Sequence, residues 1–264
     1  MRSPKSSASR PRRCSIGRPA EVCTLSWIRS DEGYELHFNR DERRIRQRAS
    51  APRVFVSEGV RVLAPRDADA GGSWITVNAF SLVQCLLNGS SEEYPLLPRK
   101  DTSRGLLVLE TAASRSMEQA QHRIATLSLA IYRPFHLVFF FPEKAPCCIQ
   151  WDRAALRTRS LDDADRPLVS SACDDTGARR ARRELFRQAL ARAPVDTELL
   201  RCSHAGHLPE KGPRSCMHGP NGSTVSYSRV RVDPVSVHFD YQAGPPCEGR
   251  PVEQKHIDLV AGAA

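Results

Sequence analysis

The hydrophobic period of this chain changes along its length, and that change limits the folds open to it. Residues 23–29 (CTLSWIR) and 34–39 (YELHFN) place apolar side chains at alternate positions. Alternation of this kind marks half-buried strands, because successive side chains of a strand point to opposite faces. Ser30-Asp31-Glu32-Gly33 between them is a turn signal, so the two runs form a hairpin. Short strand-like runs follow at 54–56 and 61–63. Residues 73–78 (SWITVN) and 81–88 (SLVQCLLN) predict a second hairpin. The period then lengthens. Residues 103–113 and 116–129 are helical in pattern, with Met117, Ala120, Ile124 and Leu127 three or four apart. Ser116 with Gln119 resembles a capping box. Residues 136–141 (HLVFFF) read as a strand buried on both faces, and weaker strands are expected near Ile149, Leu156 and Leu168. A charged helix over 176–193 stops at Pro194, and 195–201 form a short helix. Strands over 222–232 and 234–241 meet at Asp233-Pro234. Runs of strands separated by runs of helices imply an α+β fold with mostly antiparallel sheets, in one domain, rather than alternating βαβ units.

Charge narrows the partners. The 264 residues carry a net charge of +9, which by itself points to nucleic acid. The distribution argues otherwise. Residues 1–22 hold six basic side chains and one acid, so more than half of the excess lies in this arm. The other 242 residues carry 33 basic and 29 acidic side chains, ordinary for a soluble domain, and no nucleic-acid partner is expected. The arm is rich in Pro, Ser and Arg without periodicity and reads as disordered. Residues 127–141, the longest apolar stretch, are broken by Arg133, Pro134 and His136, so no transmembrane segment is expected. Nine scattered cysteines without C-x-x-C fit reduced thiols and a cytoplasmic location.

The dinucleotide, P-loop, zincin and nucleophile-elbow motifs are all absent. The first positive constellation is Cys23 with Asn39-Arg40-Asp41-Glu42. Cys23 opens the first strand, and the other four close the second strand of the same hairpin. A guanidinium beside a thiol favours the thiolate. On spacing alone, Cys23 reads as a small buried residue and N-R-D-E as a solvated turn.

The same residues resemble a known family. C-T-L-S-W-I-R, G-Y-E-L-x-F-N-R-D-E-R-R, V-L-A-P-R-D-x-D-A-G-G-S-W-I-x-V-N and L-L-N-G are similar to the NRDE family, the transport and Golgi organisation protein 2 family, in its bacterial form. The resemblance runs from Cys23 to about Asn88. It returns in Ser215-Cys216-Met217-His218, Thr224-Val225-Ser226 and Tyr241…Gly244-Pro245-Pro246-Cys247. It implies a four-layer αββα sandwich of the N-terminal-nucleophile (Ntn) hydrolase type. In that type a Cys following the initiator Met is the nucleophile. An Arg closing the second strand, a nearby Asp and an Asn from a later strand complete the site. These map to Cys23, Arg40, Asp41 and Asn88. Asn39, Trp74 and Asn78, in the same motifs, are expected to bind substrate. No metal is assigned and no cofactor is required; haem is a possible ligand, since eukaryotic relatives are implicated in haem handling.

The implied chemistry uses the α-amino group of the nucleophile as base. Its pKa of ~8 nearly matches the ~8.5 of a thiol, so proton exchange is balanced near neutral pH. Arg40 would favour the thiolate, Asp41 would orient Arg40 or the ammonium, and Asn88 would donate to the oxyanion, an interaction worth ~3–4 kcal/mol. This requires Cys23 to be the first residue of the working chain. Val22 precedes it here, and a GTG codon reads as Val internally but can initiate as Met, so a start at position 22 is expected. A cut between Val22 and Cys23 is the alternative. If the arm stays, the amide nitrogen is no base. In the family an Arg immediately precedes the Thr-Val-Ser strand; Ser223 stands there in this chain.

Two further clusters read more simply. Cys202, His204, His207, Cys216 and His218 fit no standard zinc spacing and are expected to be loop residues, with haem ligation as the other reading. The arginines of 179–192 spread around their helix and are expected to be solvated, while Leu185, Phe186, Ala189 and Leu190 pack. Trp27 is expected in the core. The resulting expectation is an amidase acting on a linear acyl amide, with a non-catalytic carrier of haem or a lipid-like acyl ligand as the second reading.

Overall fold

The first hairpin forms where the alternation places it. Strands β1 (Thr24–Ser30) and β2 (Gly33–Glu42) pair antiparallel from Thr24↔Asn39 to Ser30↔Gly33. The turn tolerates only glycine at its end. Gly33 has φ +135°, and a Cβ there would lie 2.0 Å from the Val232 carbonyl oxygen. The computed structural model describes residues 23–89, 102–170, 175–191, 193–206, 215–220 and 222–260; the expected basic arm lies outside them.

Eleven further strands complete two antiparallel sheets among the described residues. They are β3 (Ser50–Ser57), β4 (Val60–Arg66), β5 (Ile75–Asn78), β6 (Val83–Asn88), β7 (Phe135–Phe140), β8 (Cys147–Trp151), β9 (Leu156–Ser160), β10 (Leu168–Val169), β11 (Ser223–Val232), β12 (Ser236–Ala243) and β13 (Val252–Asp258). The first sheet has the order β10-β1-β2-β11-β12-β13 and the second runs β3 to β9 in sequence. Four helices flank them: α1 (Arg104–Glu110), α2 (Met117–Thr126), α3 (Asp175–Leu190) and α4 (Thr197–Ala205).

The layers follow from what each face buries. Leu25, Trp27, Leu36, Phe38 and Phe239 of the first sheet meet Leu63, Ile75, Val77 and Phe140 of the second. Trp27 and Phe140 cross edge to face at 5.5 Å, so Trp27 is a core anchor as expected. The outer face of the second sheet, with Phe135, Leu137 and Phe139, takes Leu107 and Val108 of α1 and Met117, Ala120 and Ile124 of α2. Beyond His136 the run is apolar on both sides, because both sides are covered. Helices α3 and α4 lie on the outer face of the first sheet. The result is an αββα sandwich.

The covering of that last face departs from the sequence reading. Alternation in β1 and β2 normally leaves the polar side in water. Here Thr24, Ser26, His37, Asn39 and Asp41 are buried under α3 and α4. Strand β13 is a second departure, since the sequence reading places no strand beyond residue 241. Only Ile257 in it is buried, and its edge position with Lys255 removes the hydrophobic alternation that marks a strand.

Candidate active site

Strand alternation separates the residues of the N-R-D-E segment. Cys23 and Arg40 lie on the side of the first sheet that faces the second. Asn39 and Asp41 lie on the side that faces the helices. One cavity of about 100 Å³ opens at the Cys23 side. Its walls include Cys23, Arg40, Trp74, Asn88, Arg46 and Arg104. Gly72 crosses Gly105 at its edge so closely that a Cβ on Gly72 would lie 2.5 Å from the Gly105 carbonyl carbon. Ser73 N–H donates to Gly105 O at 3.0 Å across the same crossing.

Arg40 is held in place by several partners. Its guanidinium donates to Asp67 and to Glu42, the latter at 3.3 Å, and lies 4.1 Å over the Trp74 ring. Arg46 binds the same two acids, Glu42 at 3.3 Å and Asp67 at 3.2 Å. The sequence reading missed Asp67 and Arg46 as neighbours of Arg40. Asp67 stands in the P-R-D-x-D segment that carries the family resemblance.

Asp41 was expected to orient Arg40 or the ammonium. Its carboxylate instead accepts from Arg182 at 3.1 Å and from Thr224 Oγ1 at 2.5 Å. Arg182 also donates to Thr24 Oγ1. Arg182, with 3% of its surface exposed, corrects the reading of α3 as carrying only solvated arginines. Its place was legible in the spacing, since it precedes Leu185 and Phe186 by three and four positions and shares their packing face. Burial pushes the Asp41 carboxyl up to about 6, against the pull of Arg182 and Thr224.

Cys23 is 7% exposed, and its thiol makes one long approach, 3.9 Å, to the Asp41 carbonyl. Burial, and then the Asp41 charge, raise its pKa to about 12 despite that carbonyl contact and Arg40.

Two expected substrate residues are structural braces. Asn78 donates to Ala112 O at 2.9 Å and Ser114 O at 2.6 Å, and its Oδ1 accepts from Phe80 N and Leu82 N. The four bonds of its amide tie the turn after β5 to the segment that follows α1, and Asn78 is not among the residues that line the cavity. Asn39 donates to His204 O at 2.9 Å and Ser215 O at 2.8 Å, tying β2 to α4 from the opposite side of the sheet. Trp74 and Asn88 do line the cavity. The buried Trp74 Nε1 has no hydrogen-bond partner among the described residues.

The helix-facing side carries a buried polar chain. His37 Nε2 lies 2.8 Å from Glu35 and its Nδ1 lies 2.6 Å from Tyr227 Oη. Burial lowers the His37 pKa, so the ring is neutral near pH 7. Nε2–H then donates to Glu35, and Nδ1 accepts from the tyrosine. Glu35 also accepts from Arg229 at 2.7 Å. Burial raises the Glu35 carboxyl, but the bonds from His37 and Arg229 outweigh it and hold it at about 2. Its folded pKa is below the ordinary 4.5, so its stabilisation is present above that value and is lost as pH falls from there towards 2. Glu35→Gln should therefore flatten the loss of stability between about pH 5 and pH 3, read by urea unfolding. Equal slopes for variant and parent would mean that these bonds do not persist in solution.

The expected loop cluster splits apart. His204 is buried, with Nε2 2.8 Å from Ser26 Oγ. Cys202 is exposed on α4. His207 lies outside the described residues. Cys216 and His218 stay together, joined by Cys247.

The fold has solved counterparts. An N-acylethanolamine-hydrolyzing acid amidase ortholog from Caenorhabditis elegans aligns with a TM-score of 0.53 and 13% identity, over 78% of this chain and 91% of its own. A mutant of the conjugated bile acid hydrolase from Clostridium perfringens aligns with a TM-score of 0.52 and 10% identity, over 91% of this chain and 97% of its own. At such identities the likeness is one of fold, the Ntn-hydrolase type. No curated protein matches the sequence. The pattern of the Transport and Golgi organisation 2 family matches residues 22–176, more than half of the chain, and the chain belongs to that family.

Proposed function

We propose that this protein is a cysteine amidase that cleaves a linear acyl amide, with Cys23 as the nucleophile of a chain that begins at that residue. The observation that carries the reading is the cavity itself. Cys23 and Arg40 stand on one wall, and Trp74 and Asn88 of the second sheet line the same space. Solved hydrolases of the same fold, named for N-acylethanolamines and conjugated bile acids, make the reaction class reasonable.

The chemistry follows from what Cys23 lacks. A thiol with a pKa of about 12 is ionised to only ~1 part in 10⁵ at pH 7, too little to attack an amide unaided. It needs a base. A free α-amino group on Cys23 is three bonds from its own sulfur, and its pKa of ~8 suits proton transfer near neutral pH. The amine takes the thiol proton as sulfur attacks the acyl carbon. It returns that proton to the leaving amine, and water then hydrolyses the thioester. Arg40, fixed by Asp67 and Glu42, stabilises the sulfur anion. The Asn88 amide is the donor for the developing oxyanion.

Size favours an amide head over haem at this site. The cavity holds about 100 Å³, below the ~300–1,000 Å³ of pockets that engulf a drug-sized ligand. The acyl tail would then extend past the rim.

Intact-mass measurement of the chain from its producing cell tests the reading. A mass beginning at Cys23, with iodoacetamide labelling Cys23 ahead of the other thiols near pH 8, is the expected result. A chain that retains residues 2–22 would remove the base and the enzymatic reading with it.

A further inference from the structure

Three soft donor atoms converge at a place that the amidase chemistry does not use. Cys216 Sγ lies 3.5 Å from Cys247 Sγ and 3.5 Å from His218 Nε2, and His218 Nε2 lies 3.1 Å from Cys247 Sγ. Local structure explains the convergence. Cys216 and His218 are two apart in the segment that leads into β11, which bends at Cys216 and turns their side chains towards each other. That lead-in is pinned: His218 bridges Ser223, and Gly219 N–H donates to Gly222 O at 2.9 Å. Cys247 arrives from the other direction. Strand β12 returns beside β11 with Ala243 opposite Ser226, and the turn after it folds back over the start of β11. Gly244 N–H to Val225 O at 2.8 Å and Gln242 Nε2 to Pro245 O at 2.6 Å hold that return.

We propose that Cys216, His218 and Cys247 form a metal site for Zn²⁺, which staples the return after β12 to the lead-in of β11. The distances are those of one face of a coordination tetrahedron. Zn–S bonds of ~2.3 Å and Zn–N bonds of ~2.0–2.1 Å put tetrahedral S···S edges at about 3.8 Å and S···N edges at about 3.5 Å. The three observed separations fall within a few tenths of an ångström of these. Donor type sets the selectivity: two thiolates and an imidazole suit a thiophilic ion, whereas Mg²⁺ and Ca²⁺ take oxygen ligands. On binding, each thiol releases its proton to solvent as a metal–sulfur bond forms, and neutral His218 supplies a lone pair. Cys216 is buried, Cys247 half-buried and His218 exposed, which gives the ion an entry path. The fourth position is left for water or an external ligand. The site also touches the framework behind Cys23. Met217 N–H donates to Thr224 Oγ1 at 2.8 Å, and that hydroxyl donates to Asp41.

The test uses the full chain, reduced, stripped with a chelator and titrated with Co²⁺ as a spectroscopic stand-in. One equivalent should raise thiolate-to-cobalt charge-transfer absorption and the visible bands of a tetrahedral ion. Zn²⁺ should displace both and raise the Tm. Cys216→Ser and Cys247→Ser should each lose the signal. Cys202→Ser, which removes the exposed thiol on α4, should keep it. If the serine variants do not fold, His218→Ala is the informative change, expected to weaken Zn²⁺ binding at least ~10-fold, the least that even outer-shell partners of a metal contribute. A folded, reduced chain with no cobalt–thiolate band at one equivalent overturns the site. So does a band that survives the loss of both cysteines, or a Cys216–Cys247 disulfide whose reduction brings no metal uptake.

Discussion

Replacing Cys23 by Ala in a chain that begins at position 23 should lower turnover of acyl para-nitroanilides by on the order of 10⁴–10⁶, the range lost when a covalent nucleophile is removed. The residue acts as a unit with its own α-amino group, so a second change should be nearly as damaging. Keeping residues 1–22 on an otherwise unaltered chain turns that amine into an amide. The thiol then stays protonated, with its pKa pushed to about 12 by burial and by the charge of Asp41. Both forms should fold alike, since Cys23 packs among the residues between the sheets in either case. Release of para-nitroaniline, followed at saturating and at low substrate, is the measurement. Turnover by the Cys23→Ala protein equal to that of the parent would eliminate the nucleophile assignment. Turnover by the extended chain would eliminate the α-amine as base while leaving the cysteine in place.

The second large effect concerns stability. Arg182→Met should destabilise the fold by ~2–3 kcal/mol at pH 8, because Asp41 must then stay ionised beside an apolar side chain or take up a proton, at ~1.4 kcal/mol per unit of pH above its parent pKa of about 6. The partner hydroxyl of Thr224 cannot replace a full positive charge. The pH dependence gives the effect a signature. The folded pKa of Asp41, about 6, lies above its ordinary value of 3.8. The folded state therefore holds that proton more tightly, and stability falls as pH rises from about 4 to 6, with the full cost of ionisation present above. Without Arg182 the carboxyl should titrate higher still. The variant should be closest to the parent at about pH 5 and furthest from it at about pH 8. Urea unfolding at the two values measures this. Asp41→Asn in the Arg182→Met background should recover part of the loss, since it removes the unpaired charge. A penalty of the same size at both pH values would mean that Arg182 contributes packing rather than charge.

The amino-acid sequence determined most of the elements and the family. Alternation in β1 and β2, the three-or-four spacing in α2 and the doubly apolar run in β7 each carry their own period, and local periodicity survives in one dimension. The family resemblance joined Cys23, Arg40, Asp41 and Asn88 as a catalytic set, with Trp74 as a substrate residue, and Cys23, Arg40, Trp74 and Asn88 line one cavity. Partnership was another matter. Adjacent residues of a strand point to opposite faces, so Arg40 and Asp41, neighbours in sequence, serve different layers: Arg40 joins Asp67 and Trp74, and Asp41 joins Arg182. Asn78 stands in a motif as a ligand residue, but its four bonds go to the backbone of two segments, 80–82 and 112–114. Cys247 lies 31 residues beyond Cys216, and no spacing rule joins them; the antiparallel return of β12 does. Helix α3 looked solvated until its packing onto the polar side of the first sheet buried one arginine of many. Period is a property of the chain. Which face meets which, and so which charge finds its counter-charge, is decided only when the sheets and helices are stacked.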